Sequence, residues 1–262
     1  MLRKRAALIF LVALVLFIFG AMLLWTATVK NEPPFLKNAH GYGQVVAATK
    51  LLTNDPYPDP RVNPGGNPPD LAGFVSGNRA ALNRLREALR LRIEAPAETY
   101  DTKTLPTVFG AAAQITRLAQ TMKYEGRLAE SEGRHSDAAD IYLEVMRFGQ
   151  KMQAGPMLFL LNGLSIEGLG HQSLKLLESN LKGPDRARVT AELEKLNASR
   201  IEFDEIIRRE RYFARRNTPT PLHYFFAVYK QRGTIRDVRR KCDNFSKSVQ
   251  ELADKYKAQP SS

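Results

Sequence analysis

EGRLAESEGRHSDAADIYLEVMRFGQKM, residues 125–152, predicts two antiparallel helices joined at Gly133. Glycine is common just after the last turn of a helix, where the backbone changes direction. The small residues Gly126 and Ala138 would let the two helices approach closely, and Tyr142 would fill the groove between them. This hairpin favours a fold built from packed helices.

The spacing of Gly126, Gly133, Ala138 and Tyr142 resembles the tetratricopeptide repeat, a helix–turn–helix unit with small residues and an aromatic at matching positions. Two features depart from that pattern: Met122 replaces the usual tryptophan, and no proline closes the unit. The sequence contains no convincing second copy, whereas a solenoid needs about three repeats to be stable. The resemblance therefore implies one tetratricopeptide-like hairpin within a larger helical domain.

Helical periodicity continues on both sides of the hairpin. Apolar residues recur at spacings of three and four, as at Leu82, Leu85 and Leu89. The predicted helices cover residues 41–53, 77–93, 106–132, 136–152, 157–181, 185–216, 222–231 and 234–257. Because no segment shows the sustained alternation of a strand, we predict an all-α fold.

Residues 6–25, AALIFLVALVLFIFGAMLLW, are uncharged and almost wholly apolar. A helix of that length spans roughly 30 Å, the hydrocarbon thickness of a bilayer. The segment predicts a transmembrane signal anchor. A cleaved secretory signal is the alternative, but the run ends in bulky residues and Thr26-Ala27-Thr28 is a poor cleavage site.

The charges that flank this segment predict its orientation. Arg3, Lys4 and Arg5 precede it, whereas Lys30 alone follows closely. Because positively charged flanks stay in the cytoplasm, we expect a single-pass protein of the cell membrane with a cytoplasmic N-terminus and an extracytoplasmic helical domain.

The chain is expected to have three parts. Residues 1–25 form the basic cap and the anchor, and residues 26–75 form a juxtamembrane, Pro/Gly-rich linker. The linker contains DPYPDPRVNPGGNPPD, residues 55–70, in which the density of proline excludes a regular helix or a central strand. Residues 76–258 form the α-helical domain.

The cysteine count and the net charge limit which classes of protein and of binding partner are compatible with this sequence. Cys242 is the only cysteine, so intramolecular disulfides are excluded, as is ordinary for a bacterial envelope protein. The net charge is +12, and residues 200–257 carry fifteen Lys or Arg against eight Asp or Glu. Such a region suits an acidic protein partner, anionic lipid or an anionic envelope polymer, or it forms an ordinary solvated surface. No nucleic-acid partner is expected, because the domain lies outside the cytoplasm.

The order of these parts resembles that of a group of uncharacterised bacterial membrane-anchored helical proteins. The resemblance covers roughly residues 76–216, where the hairpin, an apolar helix opened by Gly155-Pro156 and a charged helix follow one another. The resemblance implies a helical fold and a membrane-anchored location, but it implies no enzymatic or binding activity.

Glu167 and His171 are the best candidates for enzyme chemistry. They lie four residues apart and therefore share one helix face, where a carboxylate and an imidazole could bind a metal or exchange protons. Glu202 and Glu205 are the candidates to complete such a site. The alternative is a hydrogen-bonded polar pair between packed helices. The sequence therefore assigns no catalytic, cofactor-binding or metal-binding residue.

IIRRERYFARRN, residues 206–217, predicts a binding surface. Arginine and tyrosine are enriched at interfaces, because guanidinium groups stack on rings and make paired hydrogen bonds to carboxylates. The alternative is that these arginines pair with acidic residues of adjacent helices. The candidate residues are Arg208, Arg209, Arg211, Tyr212, Arg215 and Arg216. We expect the chain to serve protein–protein interaction or scaffolding. The alternatives are an enzyme with its site at Glu167 and His171, or a module that binds anionic lipid or polymer.

Overall fold

The computed structural model describes residues 40–53, 68 and 70–258. These residues contain helices, turns and loops and no strand, which confirms the all-α fold. The predicted anchor, residues 6–25, lies outside the described residues, as does most of the Pro-rich segment. Within the described part, no helix combines the length and apolarity needed to cross a bilayer.

The helices are, in chain order, α1 (His40–Thr49), α2 (Leu71–Gly77), α3 (Arg79–Leu89), α4 (Leu105–Ser131), α5 (His135–Met152), α6 (Met157–Leu177), α7 (Gly183–Ala198), α8 (Phe203–Arg216) and α9 (Pro221–Ala258). Short 3-10 segments cover Ala97–Tyr100, Thr102–Thr104 and Glu178–Asn180. The predicted helices agree with α4 and α5 to within a residue at each end. They differ from the structure at α7, α8 and α9, and they do not include α2, most of which falls within the predicted linker.

The predicted helix over 185–216 is broken between α7 and α8. Ser199 donates its backbone N–H to the carbonyl of Lys195, and the chain then leaves the helical path. Arg200 lies in this break, where its guanidinium binds the carboxylate of Glu167 in α6. The ion pair therefore accompanies a change of direction that apolar periodicity does not predict.

The two short helices predicted at the C-terminal end form the single helix α9. Thr220 caps its start, because its hydroxyl accepts the backbone N–H of His223, and Pro221 occupies the first turn. Gly233, where a break was predicted, stays within the helix. Buried side chains from Val249 to Tyr256 hold the second half of α9 against α7.

Helix α5 connects the two main regions of the core. Val145 and Phe148 pack with residues from α1, α3, α4 and α6. Tyr142 and Leu143, on another part of its surface, pack with residues from α6, α7 and the second half of α9. A smaller cluster around Ile206 joins the start of α6 to α8 and α9.

Glycines allow α5 and α6 to pack backbone against backbone. A Cβ atom added at Gly149 would lie 2.3 Å from the backbone nitrogen of Glu167, and one at Gly163 would lie 2.5 Å from the carbonyl oxygen of Gly149. A Cβ at Gly170 would lie 2.5 Å from the carbonyl oxygen of Tyr142. Of the three glycines Gly163, Gly168 and Gly170, which the sequence predicts to permit close helix packing, Gly163 and Gly170 lie at the close approach, whereas a Cβ at Gly168 would meet only a ring carbon of Phe245 at 4.0 Å.

The contact predicted within the hairpin is also present. The ring of Tyr142 covers Gly126, where an added Cβ would lie 2.4 Å from a ring carbon. Gly133 joins the two helices with a φ of 74°, a left-handed conformation that glycine adopts without steric cost. The hydroxyl of Tyr142 donates a hydrogen bond of 2.5 Å to Glu130, which closes the hairpin.

Candidate functional site

Helix α8 presents all of its arginines except Arg209 on the side opposite the core. Ile206, Ile207 and Ala214 are buried against the rest of the domain. Asp204 and Glu205 lie in its first turn, while Arg215 and Arg216 lie in its last. This order of charges complements the helix dipole and stabilises the helix without fixing the arginine side chains against the core.

The structure separates the six predicted binding residues into two groups. Arg208, Arg211 and Arg216 are exposed, and Tyr212 and Arg215 are half-buried beside them. Arg209 is buried, with only 4% of its surface exposed. The first five share one surface of α8, whereas Arg209 points into the domain.

Arg209 makes ion pairs inside the domain. Its Nε atom donates to Glu205 at 2.9 Å, and its Nη2 atom lies 3.5 Å from Oε1 of the buried Glu94. The contact with Glu94 attaches α8 to the segment that follows α3, whereas Glu205 lies in α8 itself. Arg209 is therefore placed as a packing residue, and it is not part of the exposed surface of α8.

A groove along the seam of α8 and α9 is formed by three of the α8 arginines and two tyrosines, whereas Arg216 lies outside its lining. The groove has a volume of about 310 Å³ and is lined by Arg208, Arg211, Tyr212, Arg215 and Tyr224. The guanidinium of Arg215 lies 5.7 Å from the ring centre of Tyr224. No acidic side chain of the described residues lines this groove, although Arg208 also pairs with Glu205, which lines a different groove. We call it the arginine–tyrosine groove.

A larger groove of about 790 Å³ lies on the other side of Arg208. Acidic and basic side chains both line it, and several of them pair: Arg92 binds Glu94 at 2.6 Å, and Arg208 and Arg209 both bind Glu205. Basic and acidic groups therefore compensate each other in this groove. The arginine–tyrosine groove differs because its lining carries charge of a single sign.

An exposed row of apolar side chains follows on α9 and was not predicted from the sequence. Leu222, Phe225, Phe226 and Tyr229 are 63%, 60%, 53% and 58% exposed. They recur at spacings of three, four and seven, so they lie on one face of the helix. The signal was present in PLHYFFAVYK, but periodicity alone does not distinguish a face that meets the core from one that meets solvent. We call these four residues the apolar ridge.

Glu167 is held by a buried network. Its carboxylate is fully buried and binds Arg200 through two hydrogen bonds of 2.5 and 3.0 Å, while Gln153 donates a third of 2.7 Å. Burial raises the pKa of Glu167, and Arg200 and Gln153 oppose that shift. These donors occupy both carboxylate oxygens, so the geometry is that of an ion pair between packed elements.

His171 contacts other groups than Glu167. Its Nε2 atom lies 3.2 Å from the carbonyl oxygen of Ser248, and its ring packs on Phe245. Burial lowers the pKa of His171. Glu202 and Glu205, the candidates to complete a metal site, line the larger groove instead. Over residues 40–53, 68 and 70–258, no three His, Cys, Asp or Glu side chains are grouped as metal ligands would be.

Cys242 does not have the environment of a reactive thiol. It is half-buried in α9, and burial is the main reason that its pKa is raised. Reactive cysteines require a lowered pKa, since the thiolate is the nucleophile.

The chain matches no family model, no curated protein and no solved structure. What it does is therefore inferred from the geometry of its own surface.

Proposed function

We propose that this chain is a membrane-anchored helical docking domain of a bacterial envelope, which binds an acidic segment of a protein partner. Residues 6–25 would anchor it as a single-pass protein, with the basic cap in the cytoplasm and the helical domain outside. The length of the apolar segment, the excess of basic residues before it and the absence of any cysteine pair support this location.

The arginine–tyrosine groove is the observation that carries the proposal. Guanidinium groups bind carboxylates through two parallel hydrogen bonds, and tyrosine rings supply rigid contact area beside them. An Asp or Glu side chain entering beside the exposed Arg211 would meet a lining that contains no acidic side chain among the described residues. The groove therefore fits a short acidic peptide segment.

The hairpin of α4 and α5 would provide the scaffold for this surface. We propose that it is a single tetratricopeptide-like unit, an assignment supported by the Gly126–Tyr142 contact and by the left-handed Gly133. Tyr142 fills the space between its helices, so the hairpin contributes packing and α8 contributes the docking surface.

The enzyme alternative at Glu167 and His171 has less support. Arg200 and Gln153 already bind the carboxylate of Glu167, and His171 is directed to Ser248. A substrate would have to displace these internal partners, so we place the function at the arginine–tyrosine groove.

Selection of a random peptide library on the full chain in detergent tests the docking proposal. We expect the enriched peptides to carry Asp or Glu beside an aromatic residue. In the double variant Arg211→Glu/Arg215→Glu, their affinity should fall at least about tenfold, because attraction becomes repulsion. Arg79→Glu/Arg90→Glu is the matched control, since both arginines are exposed on α3 or directly after it. Enriched peptides without acidic residues, or equal loss in both variants, would refute the proposal.

The location has a separate test. We expect the chain to stay with membranes after alkaline washing, and a C-terminal tag to be removed by protease added outside spheroplasts. A protected tag, or release of the chain by alkali, would contradict the proposed anchor and orientation.

A further inference from the structure

The apolar ridge of α9 is turned away from the domain. At about 100° per residue, the centre of the ridge lies roughly 150° around the helix from Tyr224, which faces α8. Val238, further along α9, is buried on that inner side. Four large apolar side chains more than half exposed on a single helix face form a patch of the kind that marks an interaction site.

The chain around the ridge is basic and aromatic. Between Arg211 and Arg236 it contains six Lys or Arg and six aromatic residues but no Asp or Glu. Lys230, Arg232 and Arg236 lie beside or directly after the ridge and are exposed. We call these three residues the basic border. An apolar face with aromatic side chains and flanking basic residues is typical of helices that lie in the interface of a membrane.

Charge distinguishes the two partners that could cover such a face, a second copy of this chain and an anionic phospholipid surface. A second copy docking ridge to ridge would bring two basic borders together, and like charges would oppose the contact. Anionic phospholipid head groups carry the complementary charge, and each Lys or Arg near such a surface strengthens binding. Tyr229 and the two phenylalanines would then lie at the level of the head groups, which aromatic side chains favour.

The bilayer is within reach of α9 if the proposed anchor is correct. Residues 26–39 separate the anchor from α1. Fourteen residues span at most about 50 Å, so the domain is confined to a layer close to the membrane surface.

We propose that the apolar ridge and its basic border form a membrane-contact surface for anionic phospholipids, which lays the first half of α9 on the bilayer that anchors the chain. The inference rests on the anchor of the proposed function and does not depend on the acidic partner. Because the arginine–tyrosine groove opens on the seam with α8, the ridge can meet lipid while the groove remains open to a protein.

A spin label at position 226 tests the inference. The full chain carries Cys242→Ser and Phe226→Cys, and it is placed in nanodiscs of phosphatidylcholine or of phosphatidylcholine mixed with phosphatidylglycerol. The matched control carries the label at Leu176→Cys, because Leu176 is 70% exposed but lies on α6, away from the ridge. Accessibility to oxygen and to a water-soluble nickel complex is measured for each label.

In discs with phosphatidylglycerol, the label at 226 should gain oxygen accessibility and lose accessibility to the nickel complex. The label at 176 should not change. The triple variant Lys230→Glu/Arg232→Glu/Arg236→Glu should lower the docked fraction at least about tenfold, because it reverses three charges near the lipid surface. Anchored chain whose label at 226 stays as water-accessible as the label at 176 would overturn the inference and leave the docking proposal intact. Chain that does not co-purify with the discs would contradict the anchor and this inference together.

Discussion

Gly149 lies at the closest approach of α5 and α6. The nearest atoms to an added Cβ belong to the backbone of α6, at 2.3 Å from Glu167 N and 2.6 Å from Gly163 O. Backbone atoms cannot rotate away as a flexible side chain can, so a methyl group here would push the two helices apart.

We predict that Gly149→Ala lowers the free energy of unfolding by about 1–3 kcal/mol, the range for overpacked cores. Gly110→Ala is the matched control, because Gly110 is exposed within α4 and an added Cβ would meet nothing within 4 Å. That substitution should stabilise the chain by about 0.5–1 kcal/mol, since alanine loses less backbone entropy in a helix. Urea unfolding followed by circular dichroism measures the free energy of unfolding of both variants. A change of the same sign in the two would refute the close packing of α5 and α6.

Glu210 gives the stability of the chain a pH dependence of known sign. Its buried carboxylate accepts the backbone N–H of Met157 at 2.9 Å and the side-chain amide of Gln231 at 3.2 Å. Burial raises the pKa of Glu210 above its usual value. The protonated form therefore favours folding below the unfolded pKa of about 4.3, and this contribution is lost as the pH rises through the folded pKa.

We expect Glu210→Gln to gain stability relative to the wild type as the pH rises from about 4 to 7, because glutamine never ionises. Glu192 supplies the opposite sign, since its hydrogen bond to Arg147 lowers its pKa. Glu192→Gln should lose stability relative to the wild type over a lower range, as the pH rises from about 3 to 5, because the lowered folded pKa lets the ionised form favour folding and this contribution is complete just above the unfolded pKa of about 4.3. Thermal melts from about pH 3 to 7 distinguish the two variants, and parallel profiles for both would contradict the assigned environments.

At the scale of the element, α9 differs most from what the sequence predicts. The sequence predicts two helices, over 222–231 and 234–257, with a break between them near Gly233. The structure shows one continuous helix from Pro221 to Ala258, in which the buried second half extends the helix that carries the ridge. Local propensity gives no information about such tertiary support.

Gly233→Ala tests the continuity of α9. Gly233 is exposed, and nothing lies within 4 Å of an added Cβ. If α9 is continuous, alanine should stabilise the chain by about 0.5–1 kcal/mol and raise its helical content slightly. A turn at this position would give no gain, and Gly233→Ala would then leave stability unchanged or lower it.

The elements that local patterns specify well could be predicted, and those that depend on long-range contacts could not. The ends of α4 and α5 follow from Pro106, Gly133 and the apolar periodicity between them. Apolar spacing groups Phe109 with Ala112 and Ile115 on one face of α4, yet Phe109 is 55% exposed. The break after α7 coincides with the contact of Arg200 with Glu167, thirty-three residues away, which no local signal encodes.

In the candidate site, too, local spacing predicts some features, while others depend on contacts between distant parts of the sequence. Spacing within α8 placed Arg208, Arg211 and Arg215 on one face, and the structure keeps them together in the groove. The burial of Arg209 depends on Glu94, which is 115 residues away in the sequence. The contribution of Tyr224 depends on how α9 lies against α8, so only a three-dimensional arrangement reveals it.

At the scale of the molecule, the Glu167–Arg200 pair joins several parts of the fold. Gln153 follows α5, Glu167 lies in α6, Arg200 separates α7 from α8, and the Arg200 guanidinium lies 5.1 Å from the ring centre of Phe245 in α9. The pair is therefore a junction between elements that are distant in the sequence.

Removing one partner should be costly. We predict that Arg200→Met destabilises the chain by about 3–5 kcal/mol, because it leaves the fully buried Glu167 without its counter-ion. The double variant Glu167→Leu/Arg200→Met should recover much of that loss. Arg147→Met, which breaks the half-exposed pair with Glu192, should cost at most about 1 kcal/mol. Equal effects of Arg200→Met and Arg147→Met on urea unfolding would show that the junction is not as buried as described.

The most direct test of docking uses the anchored chain itself. The affinity of a selected acidic peptide is measured on the full chain in nanodiscs, for the wild type, for Arg211→Glu/Arg215→Glu and for the control Arg79→Glu/Arg90→Glu. If the arginine–tyrosine groove is the docking site, the wild type and the control bind alike and the groove variant binds at least about tenfold more weakly. Equal affinity for all three would contradict the proposal that this protein docks acidic partners in that groove.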